Sequence, residues 1–120
     1  GESTGPKQLD GPKFKGNIVL LIDENTQSIG EFTAMLLLKY DKTISVGNNT
    51  AGADGNISTI FLPGMITTYI SGIGIYWPNG DITQRIGIKP DIRVLNTLES
   101  IKLNSDIVFQ KASKKGIKES

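Results

Sequence analysis

Five apolar residues in succession, Ile18-Val19-Leu20-Leu21-Ile22, followed after a short polar loop by a serine-led apolar stretch, constrain this chain more than any other feature. An apolar run without polar alternation suits a strand buried on both faces, as in a parallel sheet. Parallel neighbours require a crossover, normally a helix. Asp23-Glu24-Asn25-Thr26 reads as the loop, and a helix is predicted from about residue 27 to 40. Its Ile29, Phe32, Met35, Leu36, Leu37 and Leu38 cover most of the circumference, which predicts a buried helix packed on several sides. Gly30 and Ala34, four apart, would permit close approach of a neighbouring backbone. Residues 43–47 read as a second strand, giving a strand-helix-strand unit whose crossover should be right-handed.

Beyond it, residues 48–56 form a small-residue loop. Residues 57–62, 66–71, 73–77 and 81–86 alternate as short strands, with turns at Pro63-Gly64 and at Pro78-Asn79-Gly80-Asp81. Residues 91–94 read as a brief extended piece, and residues 105–115 as a C-terminal helix with Ile107, Val108 and Ala112 on one side. Residues 1–16, rich in Gly, Pro and Lys, read as linker or the cut edge of a longer protein, and residues 17–120 as the folded portion. The class is α/β.

Composition narrows the chemistry. The chain has 120 residues, a net charge of +1, no cysteine and no histidine. Disulfides, thiol catalysis, a histidine-ligated metal and a self-contained Ser-His pair are therefore excluded within it. The lysines are scattered or bunched at the ends without interleaved aromatics, which argues against a nucleic-acid face. The longest apolar stretch is far short of a membrane span. No cofactor signature is present: Gly72-Ile73-Gly74 lacks the third glycine of a dinucleotide loop, and Asp54-Gly55-Asn56 matches only a fragment of a calcium loop and reads as a turn. Tyr69, Tyr76 and Trp77 could line a peptide groove, although strand aromatics are more often sheet-face residues. Asp23 and Glu24 could attract basic groups, or form a solvated loop.

Ser28 is the candidate for chemistry. A helix start offers unpaired N–H groups and the positive end of the macrodipole, both favourable to negative charge beside the serine. Ser28-x-x-Glu31 is also a capping box, in which the hydroxyl accepts from the Glu31 N–H and the carboxylate returns to the Ser28 N–H. Capping boxes vastly outnumber nucleophiles.

Three segments taken together decide between these readings. Ser28-Ile29-Gly30-Glu31, Thr50-Ala51-Gly52-Ala53-Asp54-Gly55 and Gly87-Ile88-Lys89-Pro90-Asp91-Ile92, in this order, resemble the catalytic core of the carboxy-terminal processing proteases, and most closely the tricorn-core-like branch of these serine peptidases. The resemblance covers about residues 16 to 115. It implies a partial ClpP/crotonase-like fold, with a mixed sheet, a buried helix after the first strand and a C-terminal helix. It also implies that residues 17–120 are the C-terminal portion of a serine peptidase catalytic domain.

By the same resemblance Ser28 is the nucleophile, the Ile29 backbone N–H an oxyanion donor and Glu31 a support residue. The processing proteases use a lysine base in a Thr-x-Gly-Lys-Gly turn. Ala53 or Asp54 stands in its place here, so the base would be a histidine from an upstream part of the same polypeptide. A glutamate before the Gly-Ile-x-Pro-Asp segment is matched by Gln84, a candidate orienting residue that carries no charge. The implied partner is a peptide or unfolded protein substrate, and the implied address is extracytoplasmic in a bacterium. The alternative is a non-catalytic peptide-binding or scaffolding module of the same fold, in which Ser28 only caps.

Overall fold

A computed structural model describes residues 11–118. Strand β1 (Ile18–Ile22) leads through the 23–28 turn into helix α1 (Ile29–Leu37), and β2 (Thr43–Gly47) returns parallel to β1, with Ile18 beside Thr43 and Ile22 beside Gly47. The antiparallel hairpin β3 (Ile57–Leu62) and β4 (Ile66–Ser71) follows. The short β5 (Ile92–Arg93) then joins the other edge of β2 in parallel, giving the order β1-β2-β5. Helices α2 (Leu98–Lys102) and α3 (Ile107–Lys118) end the chain.

Strand alternation places Leu20 and Ile22 on one face of the sheet and Val19 on the other. Ile22 packs with Ala34 and Met35 of α1 and with Ile88, and Leu20, Leu38, Ile75 and Trp77 close around them. On the opposite face α3 lies against β1 and β2, with Gly116 beside the Val19 side chain. The parallel sheet is thus sandwiched between α1 and α3. Ser45 and Asp91 stitch its far edge: the Asp91 carboxylate accepts from the Ser45 N–H and hydroxyl, both at 2.7 Å, and the Asp91 N–H donates to Ser45 Oγ at 3.0 Å.

The class is α/β as expected, but the parallel and antiparallel pairings occupy separate sheets. Four strands fall where the sequence predicted them. The two expected at 73–77 and 81–86 do not form, and only a Tyr76–Ile82 bridge joins these segments. The reason lies at residue 83, where Ile86 and Gly87 both turn their N–H groups onto the Thr83 carbonyl and Arg85 adopts a φ of 65°, so the chain coils instead of extending.

Helix α1 is also less buried than predicted. Glu31, Ala34 and Met35 face inward, whereas Ile29, Phe32 and Leu36 are exposed, so one side packs rather than several. Gly30 faces its own preceding turn at Thr26, not another backbone element. Helix α2 was not foreseen. Its Thr97-x-x-Ser100 capping box, with bonds in both directions, was the available signal. Every residue of β3 and β4 is exposed, and Met65 at the hairpin tip wholly so. The radius of gyration is 18.0 Å, against ~14 Å for a compact chain of this length. Of the predicted 1–16 linker, residues 1–10 lie outside the described residues.

Candidate active site

The turn between β1 and α1 is held by its own side chains. Asp23 Oδ1 accepts from the N–H groups of Asn25 and Thr26 and from the Thr26 hydroxyl, while Thr26 Oγ1 accepts from the Asp23 N–H. Burial works against ionisation of Asp23, but the combined hydrogen bonds from Asn25 and Thr26 outweigh it and hold the carboxyl below its ordinary value. This compact turn delivers the chain to Ser28 in an unusual conformation.

Ser28 has φ 51° and ψ −118°, a combination that a residue bearing a Cβ seldom adopts and that costs about 1–3 kcal/mol. Its surroundings enforce it. The Ser28 N–H donates to the Ala53 carbonyl at 3.0 Å, and its carbonyl accepts from Phe32 at 3.1 Å. On its N-terminal side the Ala51 N–H binds the Thr26 carbonyl, and the Gly30 N–H binds that of Gln27. The Ser28 side chain is exposed and makes no capping bond, and the Ile29 N–H makes no hydrogen bond among the described residues.

The expected capping box is therefore not formed. A capping serine sits in the β region, and at φ 51° Ser28 does not. Its partner Glu31 turns inward, fully buried, and accepts from the Thr50 hydroxyl at 2.5 Å, the Gly52 N–H at 2.8 Å and the Ala53 N–H at 2.9 Å. Glu31 thus binds the N–H of Ala53, the residue whose carbonyl accepts from the Ser28 N–H.

Thr50 carries the connection onward. Its hydroxyl accepts from the Ile88 N–H at 2.7 Å, and its own N–H donates to the Ile88 carbonyl at 3.1 Å. The two backbones meet at glycines. A Cβ on Gly52 (φ 67°) would fall 2.8 Å from the nitrogens of Ile86 and Gly87, and one on Gly87 (φ 74°) would fall 2.4 Å from the Thr50 carbonyl oxygen. Only glycine fits at either position. The three sequence segments thus converge on one hydrogen-bonded unit.

Gln84 joins this unit without a hydrogen bond to Ser28. Its amide nitrogen donates to the carbonyls of Asp54 (2.9 Å) and Ile73 (3.0 Å) and to Ser71 Oγ (3.3 Å), tying the end of β4 to the loop. Of the two positions weighed for a lysine, Ala53 is exposed and adjoins Ser28 through its carbonyl. The Asp54 side chain is buried, accepting from the Thr83 hydroxyl, with its other oxygen unpartnered among the described residues. The Thr83 and Asp54 pair had no sequence signal, because residues so far apart share no spacing rule.

Among the described residues no group of carboxylates is placed to hold a metal ion, and no helix is long and apolar enough to cross a membrane. A cavity of about 860 Å³ opens at the carboxyl ends of β1, β2 and β5, lined in part by Asp23, Glu24, Asn48, Asn96 and Asp106. That edge is where open parallel sheets commonly receive ligands.

Comparison with known proteins agrees with this geometry. The structure is similar to that of mature CPAF solved with lactacystin, with a TM-score of 0.71 and 26% identity over 83% of this chain and 19% of that one. It shares its fold with a putative peptidase from Parabacteroides merdae, with a TM-score of 0.80 and 21% identity over 88% of this chain and 33% of that one. An uncharacterized protein of Chlamydia muridarum is 28% identical over 88 residues, 71% of this chain and 15% of that protein. The chain thus spans between about a seventh and a third of these relatives' lengths. Residues 2–94 match peptidase family S41, and with more than half of its length covered the chain belongs to that family.

Proposed function

We propose that this chain carries the nucleophile of a serine endopeptidase, with Ser28 attacking the peptide carbonyl. The observation that bears most weight is the strained backbone of Ser28, which presents an uncommitted hydroxyl at the start of α1. Strain of this kind persists where a turn must expose a reactive side chain. A base supplied by polypeptide outside this chain, a histidine by family resemblance, takes the hydroxyl proton as the Oγ–C bond forms. The Ile29 N–H then donates to the developing oxyanion, with a second donor from the same outside region. Proton return to the leaving amine frees the first product, and water releases the second from the acyl-enzyme.

In this reading Glu31 is a positioning residue acting through Ala53, and Gln84 orients the loop by hydrogen bonds alone. The substrate is a peptide or unfolded protein segment, and the site of action is extracytoplasmic in a bacterium. Membership of the peptidase family supports the reaction class. A second reading, a non-catalytic peptide-binding module, draws on the engagement of the Gln84 amide with structural acceptors.

Fluorophosphonate labelling separates the two. The full-length protein should label while its Ser28→Ala variant and the 120-residue chain alone should not. Absence of labelling in the folded full-length protein would leave the binding module.

A further inference from the structure

We propose that the β3–β4 hairpin is a dimerisation arm whose partner is the same hairpin of a second copy of this chain. Charged residues make up 21% of the sequence, yet residues 55–80 carry none, and half of the aromatic residues (Phe61, Tyr69, Tyr76 and Trp77) fall there. Loss of charge with gain of aromatics is the composition of an interface centre, not of a solvated surface. The hairpin nonetheless stands in solvent: it forms a sheet of its own, and no third strand joins either edge among the described residues. Its pairing runs unbroken from Ile57–Ser71 to Leu62–Ile66, so no charge, proline or bulge within β3 or β4 blunts those edges.

The register says which partner fits. Ile57 lies opposite Ser71, Thr59 opposite Tyr69 and Phe61 opposite Thr67, and these six side chains share one face. Large and small residues therefore alternate both along and across that face. Ile57, Phe61 and Tyr69 are 71%, 79% and 66% exposed, so each projects as a knob beside a gap. A second copy, turned about a two-fold axis that runs along the hairpin between the two faces, sets β3 of one chain over β4 of the other. Every knob then falls on a gap: Ile57 over the partner's Ser71, Tyr69 over the partner's Thr59 and Phe61 over the partner's Thr67. An axis across the strands would stack Ile57 on the partner's Phe61, and the same alternation disfavours it. Charge points the same way, since a charged partner would bury its charges unpaired against this face, whereas a second hairpin brings none. Six residues make a small patch, which suits a weak, concentration-dependent dimer.

Sedimentation velocity of the full-length protein, diluted through the micromolar range, reads the dimer, with Phe61→Thr, Thr67→Phe and the double variant alongside. Both positions face solvent in the single chain, so the fold is kept, and circular dichroism checks it. Each single substitution sets two residues of like size against each other and should weaken the dimer about tenfold. The double variant exchanges knob and gap within one row and should recover most of that loss. Thr67→Phe is the decisive variant because it adds apolar surface: unspecific hydrophobic association would strengthen with it, whereas the fit of knobs to gaps weakens. A full-length protein that stays monomeric throughout would overturn the proposal and leave the hairpin to be covered by the rest of its own polypeptide. A dimer indifferent to the three variants, one tightened by Thr67→Phe, or one that the double variant fails to recover would overturn it as well.

Discussion

Replacing Glu31 with glutamine distinguishes the observed geometry from the capping box that its sequence spacing suggests. In a capping box glutamine serves almost as well as glutamate, because a single oxygen reaches back to one exposed N–H. The observed carboxylate instead lies fully buried and accepts three hydrogen bonds through both oxygens, two on Oε1 and one on Oε2. Glutamine must turn its amide toward one of these donor sets. The milder orientation keeps the Thr50 and Gly52 bonds and sets an NH₂ group against the Ala53 N–H.

A hydrogen bond to a charged group is worth about 1.5–3 kcal/mol, and an orphaned donor costs a similar amount. Allowing for overlap between these terms, the loss is about 3 kcal/mol, or roughly 12 °C in Tm for a chain of this size. Urea titration and thermal unfolding by circular dichroism of the chain, Glu31→Gln and Ser28→Ala measure it. Ser28→Ala should stay within about 0.5 kcal/mol, since the hydroxyl makes no capping bond. A loss below about 1 kcal/mol in Glu31→Gln, or a larger loss in Ser28→Ala, would refute the reasoning.

Four further outcomes follow from the same structure. Ser28→Gly should raise stability by about 1 kcal/mol in chemical denaturation, because it relieves a conformation that only a Cβ makes unfavourable. Ser45→Ala should lower it by about 2 kcal/mol in the same assay, since the Asp91 N–H loses its acceptor and the Asp91 carboxylate a donor. The Asp23 carboxyl is held below its ordinary value of 3.8 in the folded chain, so its contribution is present above that pH and fades as pH falls through the lower folded value. Acid titration followed by NMR should show the 23–26 turn loosening there, and Asp23→Asn should remove the dependence. Phe61→Lys, on an uncharged hairpin exposed on both faces, should reduce self-association of the 120-residue chain in sedimentation velocity.

What the sequence revealed, and what it hid, divides along physical lines. Strands β1 to β4 were legible to the residue because each is an apolar or alternating run closed by turn residues, and such signals are local. Residues 73–86 carry the same alternation but do not extend, because the backbone coils onto the Thr83 carbonyl, and the bonds of Thr83 and Gln84 to Asp54 are non-local contacts that no periodicity reports. The Ser28-x-x-Glu31 spacing was read correctly as a helix start. The spacing does not encode φ, and φ decides where both side chains go. The burial of α1 was overestimated because an all-round apolar helix announces how much surface must be covered without naming what covers it.

The three segments that carry the family resemblance act as one mechanical unit, and that accounts for how a strained serine persists. The strain at Ser28 costs about 1–3 kcal/mol. Against it stand the Ala53 bond to Ser28, the three bonds to Glu31, the paired Thr50–Ile88 bonds and the Arg85–Gly52 bond. At about 1 kcal/mol for each neutral bond and more for those on the carboxylate, the unit exceeds the strain severalfold. Because Glu31 draws Gly52 and Ala53 inward while Ile88 holds Thr50 from the other side, the loop cannot relax without breaking several bonds together. The Gly-Ile-Lys-Pro-Asp segment, more than fifty residues from Ser28 in the chain, therefore helps hold the loop that binds the Ser28 backbone N–H.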